Sequence, residues 1–197
     1  NRADYDEWAS LGNIGWAYHD VLPYFKRIEH YHSGAGALHS VGGPIPVERL
    51  RDPRPFSLAI VEAAEQAGKP RNTDFNGVTQ DGAGMYDVTM RDGARVSAAF
   101  AYLKPAMDRP NLTVQTDAHV LRLEDADGRM TRVLYQQGDL IQQVTATREV
   151  ILAAGAVNTP QILMLSGIGP GDALSELDIS VEVDVPGVGQ NLQDHLI

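Results

Sequence analysis

The sequence predicts an α/β fold, and three observations carry that prediction. Val150 to Ala154 is a continuous apolar run, as in a strand buried on both faces of a parallel sheet, and the expected strand spans 149–154. Gly155 follows at once, and a helical pattern opens at Thr159 and Pro160, a good N-cap followed by proline at the first helical position. Upstream, short alternating segments are separated by Asp127-Gly128 and Gly138-Asp139, which is the pattern of an antiparallel meander.

Taken in order, residues 3–31 read as two helices. Tyr5, Trp8, Ala9 and Leu11 share a helical face, and Gly12, Asn13 and Gly15 break it. Asp20 is the expected cap of the second helix, with Pro23 in its first turn. Residues 32–46 are rich in Gly, Ser and Pro and read as a loop. Residues 55–67 form a helix with Gly68 as its stop. Residues 70–83 form a second loop, and Ser97 begins a short helix ending near Met107. Asn111 to Thr116 and His119 to Leu123 alternate as strands, followed by Val133 to Tyr135 and Ile141 to Ala146. After the strand at 149–154, Ile162 to Leu165 supply the buried face of the next helix, and Gly167 ends it. The expected organisation is a region of linking helices and loops over 1–110, then a second region over 111–197.

Composition excludes several functions. The chain of 197 residues has 43% hydrophobic and 21% charged residues, ordinary for a globular protein. Its 26 acidic residues against 16 basic ones give a net charge of -10, which repels phosphate backbones and anionic lipid. Nucleic acid is therefore excluded as a partner. Cysteine is absent, so disulfides and thiolate metal sites are excluded. No apolar run is long enough to span a membrane and no leader is visible, so a cytoplasmic location is expected. Neither end has the composition of a natural terminus, and the chain reads as an internal piece of a longer one.

The turn 155–160 is where chemistry is expected. Gly155 and Ala156 let a ligand approach the backbone, and the following helix offers free N–H groups and a partial positive charge. A plain strand–helix connection explains the same residues. No G-x-G-x-x-G is present.

Residues 155–169 read G-A-V-N-T-P-Q-I-L-M-L-S-G-I-G. This run resembles the second sequence signature of the glucose–methanol–choline oxidoreductases at every specified position. N-R-A-D-Y-D-E-W-A at Asn1 to Ala9, Gly15 to Arg27, Arg95 to Leu103, Arg109 to Val114 and Val185 to His195 also fit the family in order. The resemblance covers essentially the whole chain and is closest to the choline and aliphatic-alcohol dehydrogenase branch. It implies a partial FAD-binding, Rossmann-like domain with an inserted meander and part of the helical, substrate-side region. The implied cofactor is FAD. Its site would include Ala154, Gly155 and Ala156. Val120 would meet the adenine through its backbone, since 116–120 resembles the family stretch that does so. The family's pyrophosphate loop would precede Asn1, and its catalytic histidine with a His or Asn partner would lie beyond Ile197, so no catalytic residue is assigned here.

The remaining candidates read as structural. Six histidines show no ligand spacing, so no metal site is expected, and His19, His30, His32, His39 and His119 read as surface or loop residues. His195 belongs to a family-like turn. Asp74-Phe75-Asn76-Gly77 resembles a loop near the family's substrate domain, and Asx-turn chemistry explains it equally well. Trp8, Trp16, Tyr18 and Tyr24 fit helix packing better than a cofactor box. The function implied by the resemblance is oxidation of a primary alcohol: a histidine base takes the hydroxyl proton and hydride passes to the flavin. The electron acceptor is not readable. Two alternatives stand beside it, an FAD-bearing hydroxynitrile lyase and a non-catalytic FAD-binding module.

Overall fold

The computed structural model describes residues 1–126 and 128–194. They form two compact units, Asn1–Thr113 and Val114–Ile197.

The first unit opens with α1 (Arg2–Ser10) and α2 (Tyr18–Ile28). The Asp6 carboxylate on α1 accepts the Tyr18 N–H at 3.0 Å and so caps α2 from outside. That bond outweighs desolvation and, with help from Arg2, holds the Asp6 carboxyl below its ordinary range. This external cap starts α2 earlier than the sequence suggested. Asp20 becomes the third helical residue, accepting the Ala17 N–H at 3.2 Å, and Pro23 lies inside the helix. Of the aromatic residues expected to pack, Trp8 lies edge-on to Trp16 and to Tyr5, which is edge-on to Phe25, whereas Tyr24 is 59% exposed and lies under Arg27.

Residues expected to end a helix and fill a loop instead make strands β1 (Glu29–Tyr31) and β2 (Ile45–Arg49), which pair in parallel. Gly43 explains why the small-residue stretch returns so closely: any Cβ there would overlap the Ile28 carbonyl group. After α3 (Pro55–Gln66), which begins at proline and stops at Gly68 as expected, β3 (Asp87–Val88) adds antiparallel to β2. β4 (Met90–Arg91) and β5 (Ala94–Arg95) form a hairpin over Asp92 and Gly93, both at positive φ. The helix begun by Ser97 is a π turn over Ala99–Leu103 followed by a 3-10 turn over Lys104–Ala106.

His39 lies at the centre of this unit. It lies in a loop, as one of its two readings had it, but is only 9% exposed and so is no surface residue. Its Nδ1 faces the Glu29 carboxylate at 3.0 Å and its Nε2 faces Asp74 at 3.0 Å. The ring stacks on Tyr31 with centroids 3.9 Å apart. Tyr31 in turn donates its hydroxyl to Asp87 at 3.1 Å, and burial plus that carboxylate push its pKa up to about 12. Asp74 also makes the expected Asx turn, accepting the Asn76 N–H at 3.0 Å. Both ring nitrogens meet carboxylates, so the ring is a doubly protonated clamp between β1 and the 70–83 loop.

The second unit contains the expected meander: β6 (His119–Ala126), β7 (Arg129–Gln137) and β8 (Leu140–Thr145), antiparallel in that order. Of the first turn, Gly128 is at positive φ and Asp127 lies outside the described residues. Residues 111–116 are not a strand. They are tied by side chains: Gln115 bonds the Gln137 side chain, which itself donates to the Thr116 carbonyl. α4 (Gly155–Leu165), β9 (Ile168–Gly169), α5 (Gly171–Glu176) and β10 (Val183–Asp184) follow, with β9 and β10 parallel. The expected strand 149–154 is absent. A buried parallel strand exists only between neighbours, none of the described residues pairs with this segment, and Ile151 is 79% exposed.

The His39 clamp has a pH signature. Burial opposes the charge, yet Glu29 and Asp74 outweigh it and raise the imidazole above its ordinary 6.5. The clamp's stability is therefore full below pH 6.5 and lost as pH climbs through the raised value. His39→Gln is expected to lower stability by about 1–3 kcal/mol at pH 6 and to flatten this dependence. Thermal midpoints of both proteins from pH 6 to 9 check it, and equal slopes would contradict the clamp.

Candidate functional site

The start of α4 is built from small residues. Ala154, Gly155 and Ala156 are all exposed. Gly155 has φ +87, a conformation that L side chains rarely adopt, while a Cβ built on it meets nothing within 4 Å. Glycine is thus needed for backbone conformation, and space beyond it is clear. Thr159 does not cap the helix as expected, because α4 begins four residues earlier. Its hydroxyl instead accepts the Ala154 N–H at 3.1 Å, tying the turn back onto the helix. Pro160 falls inside α4 and has no N–H, so the Ala156 carbonyl lacks its partner within the helix. The first turn carries no acidic residue, leaving its free N–H groups and positive dipole end unneutralised. The turn therefore presents donors, one freed acceptor and no bulky side chain.

The far end of α4 is equally specified. Ser166 is buried, donating its hydroxyl to the Ile162 carbonyl at 2.5 Å and accepting the Leu123 N–H of β6 at 2.7 Å. Gly167 has φ +78, and a Cβ there would overlap the Ser180 carbonyl. Its own carbonyl accepts the N–H groups of Glu182 and Val183 at 2.8 and 3.1 Å. Gly169 leaves no room either, since a Cβ would lie 2.9 Å from Met164.

Val120 sits half-buried on β6, opposite Tyr135. Its strand packs on α4, and the Ser166 hydroxyl accepts the Leu123 N–H three residues further along β6. Two participants escaped sequence reasoning, Thr159 as a tie and Ser166 as a joint. Both lie within the 155–169 run, which was the available signal. His195 lies outside the described residues. Among the described residues no group of three or more His, Asp or Glu is arranged to hold a metal ion, and no helix is long and apolar enough to cross a membrane.

A meander packed on a helix that starts in a turn of small residues places the second unit among mixed α/β proteins. The chain belongs to the GMC oxidoreductase family, whose model matches residues 1–197. It is 49% identical over 194 residues to an oxygen-dependent choline dehydrogenase from Sinorhizobium fredii, covering 98% of this chain and 35% of that protein. Among solved structures, a FAD-dependent oxidoreductase from Chaetomium thermophilum is similar with TM-score 0.90 and 31% identity, over 98% of this chain and 36% of the other. Pyridoxine 4-oxidase from Mesorbium loti is similar with TM-score 0.87 and 32% identity, over 94% and 37%. The chain thus spans about 35% of the length of the curated relatives it matches.

The geometry of Gly155 yields a mutational test. Gly155→Ala is expected to cost about 1–2 kcal/mol from backbone strain, and Gly155→Asn less, because asparagine tolerates positive φ. Denaturant unfolding of the variants checks the order. Equal or no loss in both would show that the positive φ imposes nothing.

Proposed function

We propose that this chain supplies part of the FAD site of an oxidoreductase acting on the CH–OH group of a primary alcohol, choline or an aliphatic alcohol. The observation that carries the proposal is the exposed turn Ala154–Ala156 at the start of α4, which carries no side chain larger than a methyl, in a chain of the GMC family. The residues present fit a dinucleotide. The first-turn N–H groups of α4 are free to donate to its polar backbone, and the Ala156 carbonyl is free to accept. Val120 would offer its backbone N–H and C=O to the adenine, which suits an unremarkable side chain.

When bound, the flavin would supply the two-electron acceptor for carbinol oxidation. The share of these residues is to hold and orient it, and no residue of this chain is assigned to proton transfer. The relatives named above are redox enzymes, which favours oxidation over the hydroxynitrile lyase alternative.

Two measurements test the proposal. Anaerobic addition of choline or a primary aliphatic alcohol to the flavin-loaded protein carrying this chain is expected to bleach the flavin absorbance. A flavin that stays oxidised while a cyanohydrin is cleaved would replace oxidation by the lyase. The chain of 197 residues on its own is expected to bind FAD weakly and to oxidise no alcohol. Its purification as a yellow, active monomer would refute that division of labour.

A further inference from the structure

We propose that Ser166 is a positioning residue of the cofactor site, its hydroxyl setting β6 and Val120 against α4 and the Ala154–Ala156 turn. This rests on the FAD reading above. The side chain is 5% exposed and fully engaged as a bridge: it donates to the Ile162 carbonyl one turn back and accepts the Leu123 N–H. A hydroxyl is the smallest group that can do both at once. Leu123 is itself buried, and β6 is an edge strand of the meander, so without Ser166 its N–H would be buried with no partner.

The β6–β7 ladder shifts register on both sides of this point, between Val120 and Arg122 and between Glu124 and Asp125. Irregularity there leaves the ladder alone a poor determinant of where β6 lies, and the Ser166 bond supplies the missing constraint. Leu123 is about 10 Å along the strand from Val120, and Ser166 about 15 Å along the helix from Ala156. One hydroxyl therefore ties together the two elements that carry all four proposed cofactor contacts. Immediately after it, Gly167 turns the chain away at positive φ, which fixes Ser166 as the last residue able to face β6 from α4.

The test uses the flavin-loaded protein that carries this chain. Ser166→Ala is compared with Ile162→Val, which removes a buried methylene from the same helix without touching the hydroxyl, at matched loss of thermal midpoint. The expected result is that Ser166→Ala weakens FAD binding about tenfold and speeds hydrogen exchange at the Leu123 amide, while Ile162→Val leaves FAD affinity within about twofold. Equal effects on FAD from both variants, or none from Ser166→Ala, would overturn the positioning role. Ala156→Leu separates this from failure of the site itself. If it expels FAD while Ser166→Ala does not, only the Ser166 proposal falls. If it leaves FAD binding unchanged, the cofactor reading falls and Ser166 with it.

Discussion

Helix α4 is held by one hydroxyl near each end, and the architecture of the second unit depends on those two bonds. Thr159 reaches back to the Ala154 N–H and closes the turn at the helix start. Ser166 reaches across to the Leu123 N–H and joins the helix to the meander. Buried or exposed, each satisfies a backbone donor that neither helix nor ladder can serve. The glycines beside them, Gly155 and Gly167, hold the positive φ values that let the chain enter and leave the helix at those points. The run 155–169 is therefore a set of backbone requirements, with small residues at one end and a buried serine toward the other.

The first unit solves a similar problem with charge. A parallel pair of three-residue and five-residue strands has little ladder of its own. His39 supplies cohesion by spanning Glu29 on β1 and Asp74 in the 70–83 loop, stacked on Tyr31. Buried charge is costly unless every partner is present, and here both nitrogens have a carboxylate. Hydroxyls organise one unit and an imidazolium the other.

What was legible in the sequence was local punctuation. α3 begins at Pro55 and stops before Gly68, and the meander turns at Gly128 and Gly138, because proline fixes φ and glycine admits positive φ without outside help. What was not legible depended on distant residues. The early start of α2 comes from Asp6, twelve positions from Tyr18. His39 looked like a loop histidine because its partners lie 10 and 35 positions away. The run 149–154 has the composition of a buried strand but finds no neighbour among the described residues. In the candidate site, the small residues at 154–156 could be named from the sequence, whereas Thr159 was assigned the wrong bond and Ser166 none.

The central claim is that β6 near Val120 and the 149–156 segment face one cofactor. Amide hydrogen exchange of the flavoprotein carrying this chain, with and without bound FAD, tests it most directly. Exchange is expected to slow at 119–121 and across 150–156 when FAD binds, with α3 and the 70–83 loop unchanged. Protection confined to other segments, with both of these exchanging as in the apoprotein, would contradict it.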